Sequence, residues 1–189
     1  MHSSHIRTFT GKLVDPLNLK PEDIDILDIG HHLSNICRFT GACRFFYSVG
    51  YHSILVSMHC RPENALHGLL HDAAEAYLTD LSAPLKHSVQ FEFFRQLEYD
   101  AENVIWTKYG LSTKLPFDVK EADERAYVTE VRDIMPQIDN DWYRGREPYA
   151  DRIVKCTPEA VERAFLTRFH YLYSARNCQP DASSRTVNK

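Results

Sequence analysis

The sequence predicts an all-α bundle of roughly six to eight helices. Apolar residues recur at three- and four-residue spacing in successive stretches, from Pro21, Val49, Glu63, residue 88, Pro116 and Pro158 onwards. Strands do not alternate with helices in the way that builds a parallel sheet, and there is no internal repeat and no Gly-rich phosphate loop. A length of 189 residues with 43% hydrophobic content fits one domain with a sizeable core.

Taken in order, residues 5–20 carry Ile6, Thr8, Phe9, Leu13 and Val14 before Asp15-Pro16, which predicts a short extended arm or hairpin. Pro21-Glu22-Asp23 is read as a helix start, with proline in the first turn and acids near the positive dipole end. Ile26, Ile29, Leu33 and Ile36 then mark one apolar face. Gly41 is read as the cap that ends this helix. Val49 to Cys60 predicts the next helix, broken by Arg61-Pro62. Helical phase then runs from Glu63 to Tyr77, and Ser82 to Lys86 reads as a loop. Residues 88–109 predict a long amphipathic helix, ended by Gly110. Pro116 opens a helix that closes near Met135-Pro136, and Asp139 to Arg146 reads as a loop. A last helix spans about 158–173. The polar stretch 176–189 is expected to be a disordered tail, which leaves residues 1–175 as the domain.

A net charge of −4 argues against a broad nucleic-acid-binding surface and a stable nucleic-acid complex. No apolar run is long enough to span a bilayer, and the start Met1-His2-Ser3-Ser4-His5 has no apolar signal region. Five cysteines without a Cys-x-x-Cys pair suit a reducing, cytoplasmic setting better than a disulfide framework.

The chemistry concentrates in His71-Asp72-Ala73-Ala74-Glu75, behind the apolar Ala65-Leu66-His67-Gly68-Leu69-Leu70. On a helix His71 and Glu75 are i and i+4 neighbours, and Asp72 and Glu75 are i and i+3 neighbours. Three such groups are costly to bury without a compensating partner, and a divalent cation compensates them. A lone His-Asp pair is most often a solvated turn; what sets this one apart is His52 upstream and Asp123 downstream.

The order His52…His71-Asp72…Asp123 resembles the ligand set of the HD-domain phosphohydrolases. The segment His71-Asp72-x-x-Glu75-x-x-x-x-Asp80-Leu81-x-x-Pro84-x-Lys86 is similar to one in bacterial 5′-deoxynucleotidases and in the compact phage and bacterial deoxynucleoside triphosphohydrolases. The resemblance spans roughly residues 25–135 and implies an HD-domain bundle. It implies metal ligation by His52, His71, Asp72 and Asp123, with Glu75 as the base. Asp80 is implied to hold the deoxyribose hydroxyl, Arg38 and Lys86 the phosphates, and Phe39 and Pro84 the base or ribose. Phenylalanine at 39 replaces the family's more usual tryptophan, and its spacing to the first histidine is off by about one residue.

Two imidazoles and two carboxylates suit one divalent transition metal, zinc as first choice, with manganese, cobalt or magnesium as alternatives. Only 18 residues separate His52 from His71, a compact spacing that favours the triphosphohydrolases, with dATP as first substrate. The 5′-deoxynucleotidase reaction is the alternative, and a non-catalytic nucleotide-binding HD module is the alternative of another class. The compact enzymes often assemble, so a homo-oligomer is expected, placed in the bacterial host cytoplasm if the gene is carried by a phage.

Overall fold

The computed structural model describes residues 4–136, 140–143 and 145–177. Helix α2 (Val49–His59) is its centre and packs against α1 (Ile26–Asn35), α3 (Ala65–Leu69), α7 (Phe117–Ile134) and α8 (Pro158–Asn177). Val49 and Val56 are fully buried, as a helix surrounded by others requires. Two glycines permit the close approaches. A Cβ on Gly50 would lie 3.1 Å from the Ser34 backbone of α1. A Cβ on Gly68 would lie 2.6 Å from Cys60 Sγ and 3.2 Å from Ser57 Cα, at the end of α2. Short helices α4 (Glu75–Leu78) and α5 (Ala83–Lys86) follow α3, and α6 (Glu92–Lys108) lies along the bundle.

The class is all-α, with eight α-helices and one two-stranded sheet among the described residues. Strands β1 (Ile6–Arg7) and β2 (Leu13–Val14) pair antiparallel, Ile6 opposite Val14, which makes the N-terminal stretch the expected hairpin. Its turn is pinned to α1: Thr10 donates from its backbone N and its hydroxyl to Asp28, at 2.6 and 2.9 Å.

Several boundaries differ from the sequence expectation. Helix α1 starts at Ile26, not at Pro21, because Asp23 closes a turn with the Lys20 backbone and Asp25 supplies the cap to the Leu27 N–H. Gly41 does not cap α1. The chain turns extended at Ile36, and Cys37 bridges to Ser48. Gly41, at φ +85°, instead ends a one-turn 3-10 segment in which Phe39 and Thr40 also take positive φ, 54° and 51°.

The phase from Glu63 to Tyr77 breaks between Leu70 and Ala74. There the Leu70 carbonyl, which a continuous helix would hold for the N–H of residue 74, accepts from Trp106 Nε1 of α6 at 2.9 Å. The stretch Ser82–Lys86 is not a loop. Ala83–Lys86 forms α5, with Pro84 in its first turn, where a missing N–H is harmless.

Asn140–Tyr143 forms a 3-10 turn where a loop was expected. Helix α8 runs on to Asn177, past the expected start of the tail; the tail's remaining residues, 178–189, lie outside the described residues. Among the described residues no helix is long and apolar enough to cross a membrane.

Candidate metal centre

His52 sits one turn into α2, whose start is fixed by Ser48 accepting from the Tyr51 N–H. His71 and Asp72 lie in the broken turn after α3, and Asp123 on the second turn of α7. The structure brings His52, His71 and Asp72 into one group, with Asp123 beside His52. His52 Nε2 and His71 Nε2 are 3.3 Å apart. Asp72 Oδ2 lies 3.2 Å from His71 Nε2 and 3.6 Å from His52 Nε2. Asp123 Oδ1 lies 3.1 Å from His52 Nε2 and 3.9 Å from His71 Nε2. Donors bound at 2.0–2.2 Å around one ion stand about 3.0–3.4 Å apart, so most of these spacings are those of a coordination sphere.

The tautomers sharpen the point. His52 Nδ1 donates to Glu130 Oε1 at 2.5 Å, and His71 Nδ1 donates to the Gly68 carbonyl at 2.8 Å. With both Nδ1 hydrogens committed, Nε2 is the position left on each ring, and the two Nε2 atoms face each other where a proton or a cation can sit. Burial and Arg38 resist the His52 imidazolium, but Glu130 and Asp123 outweigh them and raise its pKa to about 9. Burial likewise opposes charge on Asp72, yet His71, His52 and Arg38 hold its carboxyl well below the usual range. The His52–His71–Asp72 group is buried, mutually within reach and able to bind a metal ion.

Glu75 stands at the first turn of α4, 6% exposed, with its Oε2 buried and unpartnered. Burial first, then Asp72 and Asp80, push its pKa well above the ordinary carboxylate value. It also borders a pocket of about 570 Å³ lined in addition by Phe9, His31, His32 and Thr79. That pocket touches none of His52, His71, Asp72 and Asp123, so the candidate metal centre rests on the converging side chains rather than on the concavity.

Arg38 lies against the same centre, its Nη2 3.1 Å from Glu130 Oε2 and its Nη1 3.7 Å from Asp72 Oδ2. Its Nε is buried without a partner. Phe39 packs on Tyr127, ring centroids 6.0 Å apart, with the Arg38 guanidinium over its own ring. Asp80 is half-buried, and its carboxyl is pushed up by burial against the pull of Arg38. Lys86 reaches inward but pairs with Glu98 at 2.5 Å, and Pro84 is exposed on α5.

Sequence reasoning missed Glu130. It is fully buried on α7 and takes three donors: His52 Nδ1, Tyr47 OH at 3.0 Å and Arg38 Nη2. Arg38, His52 and Tyr47 keep its carboxyl ionised against burial. The available signal was its place two turns beyond Asp123 on one helix face.

No family model matches the chain. A relative in Escherichia coli K12, named Uncharacterized protein YfdR, is 37% identical over 178 residues, 93% of this chain and 99% of that protein. An uncharacterized protein of Rhodobacter capsulatus is 31% identical over 190 residues, 88% of this chain and 94% of its own length.

Proposed function

The chain belongs to the same family as YfdR of Escherichia coli, and from its metal centre we propose that it is an HD-domain metal-dependent phosphohydrolase acting on deoxynucleoside triphosphates, dATP first. The observation that carries this reading is the pair of Nε2 atoms, 3.3 Å apart, with Asp72 beside one and Asp123 beside the other. His52, His71, Asp72 and Asp123 would hold one divalent ion, zinc first and manganese, cobalt or magnesium as alternatives. When bound, such an ion polarises a phosphate oxygen and makes a water molecule easier to deprotonate.

The chain's own residues would do the rest. Glu75, buried beside Asp72, takes a proton as water attacks the α-phosphorus. The bond from that phosphorus to the 5′ oxygen breaks, the proton taken by Glu75 passes to that oxygen to make the deoxynucleoside hydroxyl, and inorganic triphosphate departs. Arg38 offers its unpartnered Nε and its Nη1 to the phosphates, and Lys86 exchanges Glu98 for phosphate oxygens. Asp80, with its raised pKa, faces the deoxyribose hydroxyl, and Phe39 and Pro84 border the base.

One observation favours a second reading. Lys86 is already committed to Glu98, which leaves less cation for a polyphosphate and suits a 5′-deoxynucleotidase that releases phosphate from a deoxynucleoside monophosphate. Incubating the metal-loaded protein with dNMP, dNDP and dNTP panels and identifying the products decides between them. Triphosphate from dATP supports the first reading, and phosphate from dAMP with dATP intact supports the second. No turnover of any of them, with nucleotide still bound, would leave a non-catalytic nucleotide-binding module. Exposed Val89, Phe93 and Tyr99 on and before α6 are consistent with a homo-oligomer, and light scattering that shows a 21.9 kDa particle at micromolar concentration would exclude it.

A further inference from the structure

We infer that Glu130 is a positioning residue that aims two groups of the site at once: the metal-facing nitrogen of His52 through Oε1, and the phosphate-facing guanidinium of Arg38 through Oε2. The inference rests on the metal-dependent reading above and goes beyond it, because Glu130 belongs to no part of the motif that suggested that reading. A carboxylate with no solvent exposure is a poor stabiliser; apolar groups of similar volume serve a core as well or better. Glu130 nevertheless uses both of its oxygens on named donors. Oε1 takes the His52 Nδ1 hydrogen at 2.5 Å and the Tyr47 hydroxyl at 3.0 Å, and Oε2 takes Arg38 Nη2 at 3.1 Å.

The consequence for His52 is chemical. An imidazole that donates Nδ1–H to a carboxylate is held in one tautomer and is a stronger base at Nε2. His71 donates the same hydrogen to a neutral carbonyl, that of Gly68. His52 is therefore the firmer nitrogen anchor of the pair. The consequence for Arg38 is geometric. With Nη2 tied to Glu130, Nη1 is turned toward Asp72 and Nε is buried without a partner.

Glu130→Gln separates the two roles. If its amide oxygen still accepts from His52 and Tyr47, its NH2 group must face the Arg38 guanidinium, donor against donor, so the arginine arm is lost while part of the histidine arm survives. Zinc affinity, read by competition with a chromophoric chelator, should fall about 10- to 100-fold. The visible spectrum of the cobalt-substituted protein should shift. In a Glu75→Gln background, dATP binding should weaken further once Glu130→Gln is added. Tyr47→Phe removes one bond to the same carboxylate oxygen and should lower zinc affinity far less.

Unchanged zinc affinity and cobalt spectrum in folded Glu130→Gln would overturn the proposal. So would an equal loss in Tyr47→Phe, which would make the effect one of core packing. Should Glu130→Gln fail to fold, the native zinc-loaded protein still decides: ring nitrogen shifts must show His52 protonated at Nδ1 and metal-bound through Nε2, and the opposite tautomer rejects the idea. If no nucleotide is hydrolysed but zinc affinity still depends on Glu130, the enzymatic reading fails while the His52 role stands.

Discussion

Two pairs of histidines lie near α4, and they are built in opposite ways. His32 is finished: Nδ1 donates to the Ala76 carbonyl at 2.7 Å, and Nε2 accepts from the Phe9 N–H at 3.1 Å. Its neighbour His31 pairs with Glu162 at 3.0 Å and stacks on Phe9, ring centroids 3.7 Å apart. These two fasten the N-terminal hairpin to the bundle. His52 and His71 are unfinished, with one nitrogen each spent on the protein and the other facing its twin. What sets His52 and His71 apart as candidate metal ligands is thus a ring nitrogen left over after the backbone and Glu130 are satisfied, not a local density of histidine.

The largest test of that contrast is paired substitution. His71→Ala should lose its bound metal and all metal-dependent turnover. His32→Ala should keep both while losing about 1–3 kcal/mol of stability, because two backbone groups lose their partner. Elemental analysis beside denaturant unfolding separates the outcomes, and a His71→Ala protein with full metal and full turnover would erase the distinction.

Glu75 lies between the two pairs, bordering the pocket of His31 and His32 while facing Asp72. Glu75→Gln should retain metal and nucleotide and lose turnover by about a hundredfold or more. Loss of metal instead would make it a ligand.

Proton and metal should also compete for the unfinished pair. In metal-free protein the folded pKa of His52, about 9, stands above the unfolded value of about 6.5. Its contribution to stability is complete below the unfolded value and disappears as pH rises through about 9; the full difference is worth up to about 3 kcal/mol. Unfolding free energy of chelator-treated protein should therefore decline across that window. Zinc-loaded protein, in which the ion takes the proton's place, should not show this decline.

The smallest expected effects are at the edge of the site. Lys86→Ala should slow dATP turnover more than dAMP turnover, by about tenfold, since a polyphosphate carries more charge to neutralise. Asp80→Ala should narrow the preference for deoxyribose over ribose by a similar factor. Equal losses on dATP and dAMP would argue that the Lys86–Glu98 pair is structural.

Much of this was legible in the sequence, for identifiable reasons. The all-α class followed from helical spacing, which is local information. His52, His71, Asp72 and Asp123 could be named because their order is a recognisable pattern. Glu130 could not, since its meaning depends on Arg38 and Tyr47 arriving from 92 and 83 residues away. The break at Leu70 was hidden for the same reason: the Leu70 carbonyl there accepts from an indole on α6. Helix α5 was concealed by a proline that reads as a breaker when viewed alone and as a helix starter once its position is known.

That indole sets an order of assembly. The turn that presents His71 and Asp72 is held from within by the Ala73 N–H on the Leu70 carbonyl at 3.2 Å, and from outside by a hydrogen bond to the same carbonyl across 36 positions of chain, from Trp106. A nascent chain that ends before α6 holds both histidines but lacks the contact that diverts the Leu70 carbonyl, so its residues 70–74 are free to continue as ordinary helix. The ion should then enter late, after α6 has docked, which would protect the half-made chain from capturing metal in the wrong geometry. In refolding started with zinc present, zinc uptake should lag behind helix formation. Trp106→Phe, which keeps an aromatic ring and removes the donor, should lengthen the lag, and uptake as fast as helix formation in both proteins would refute this order.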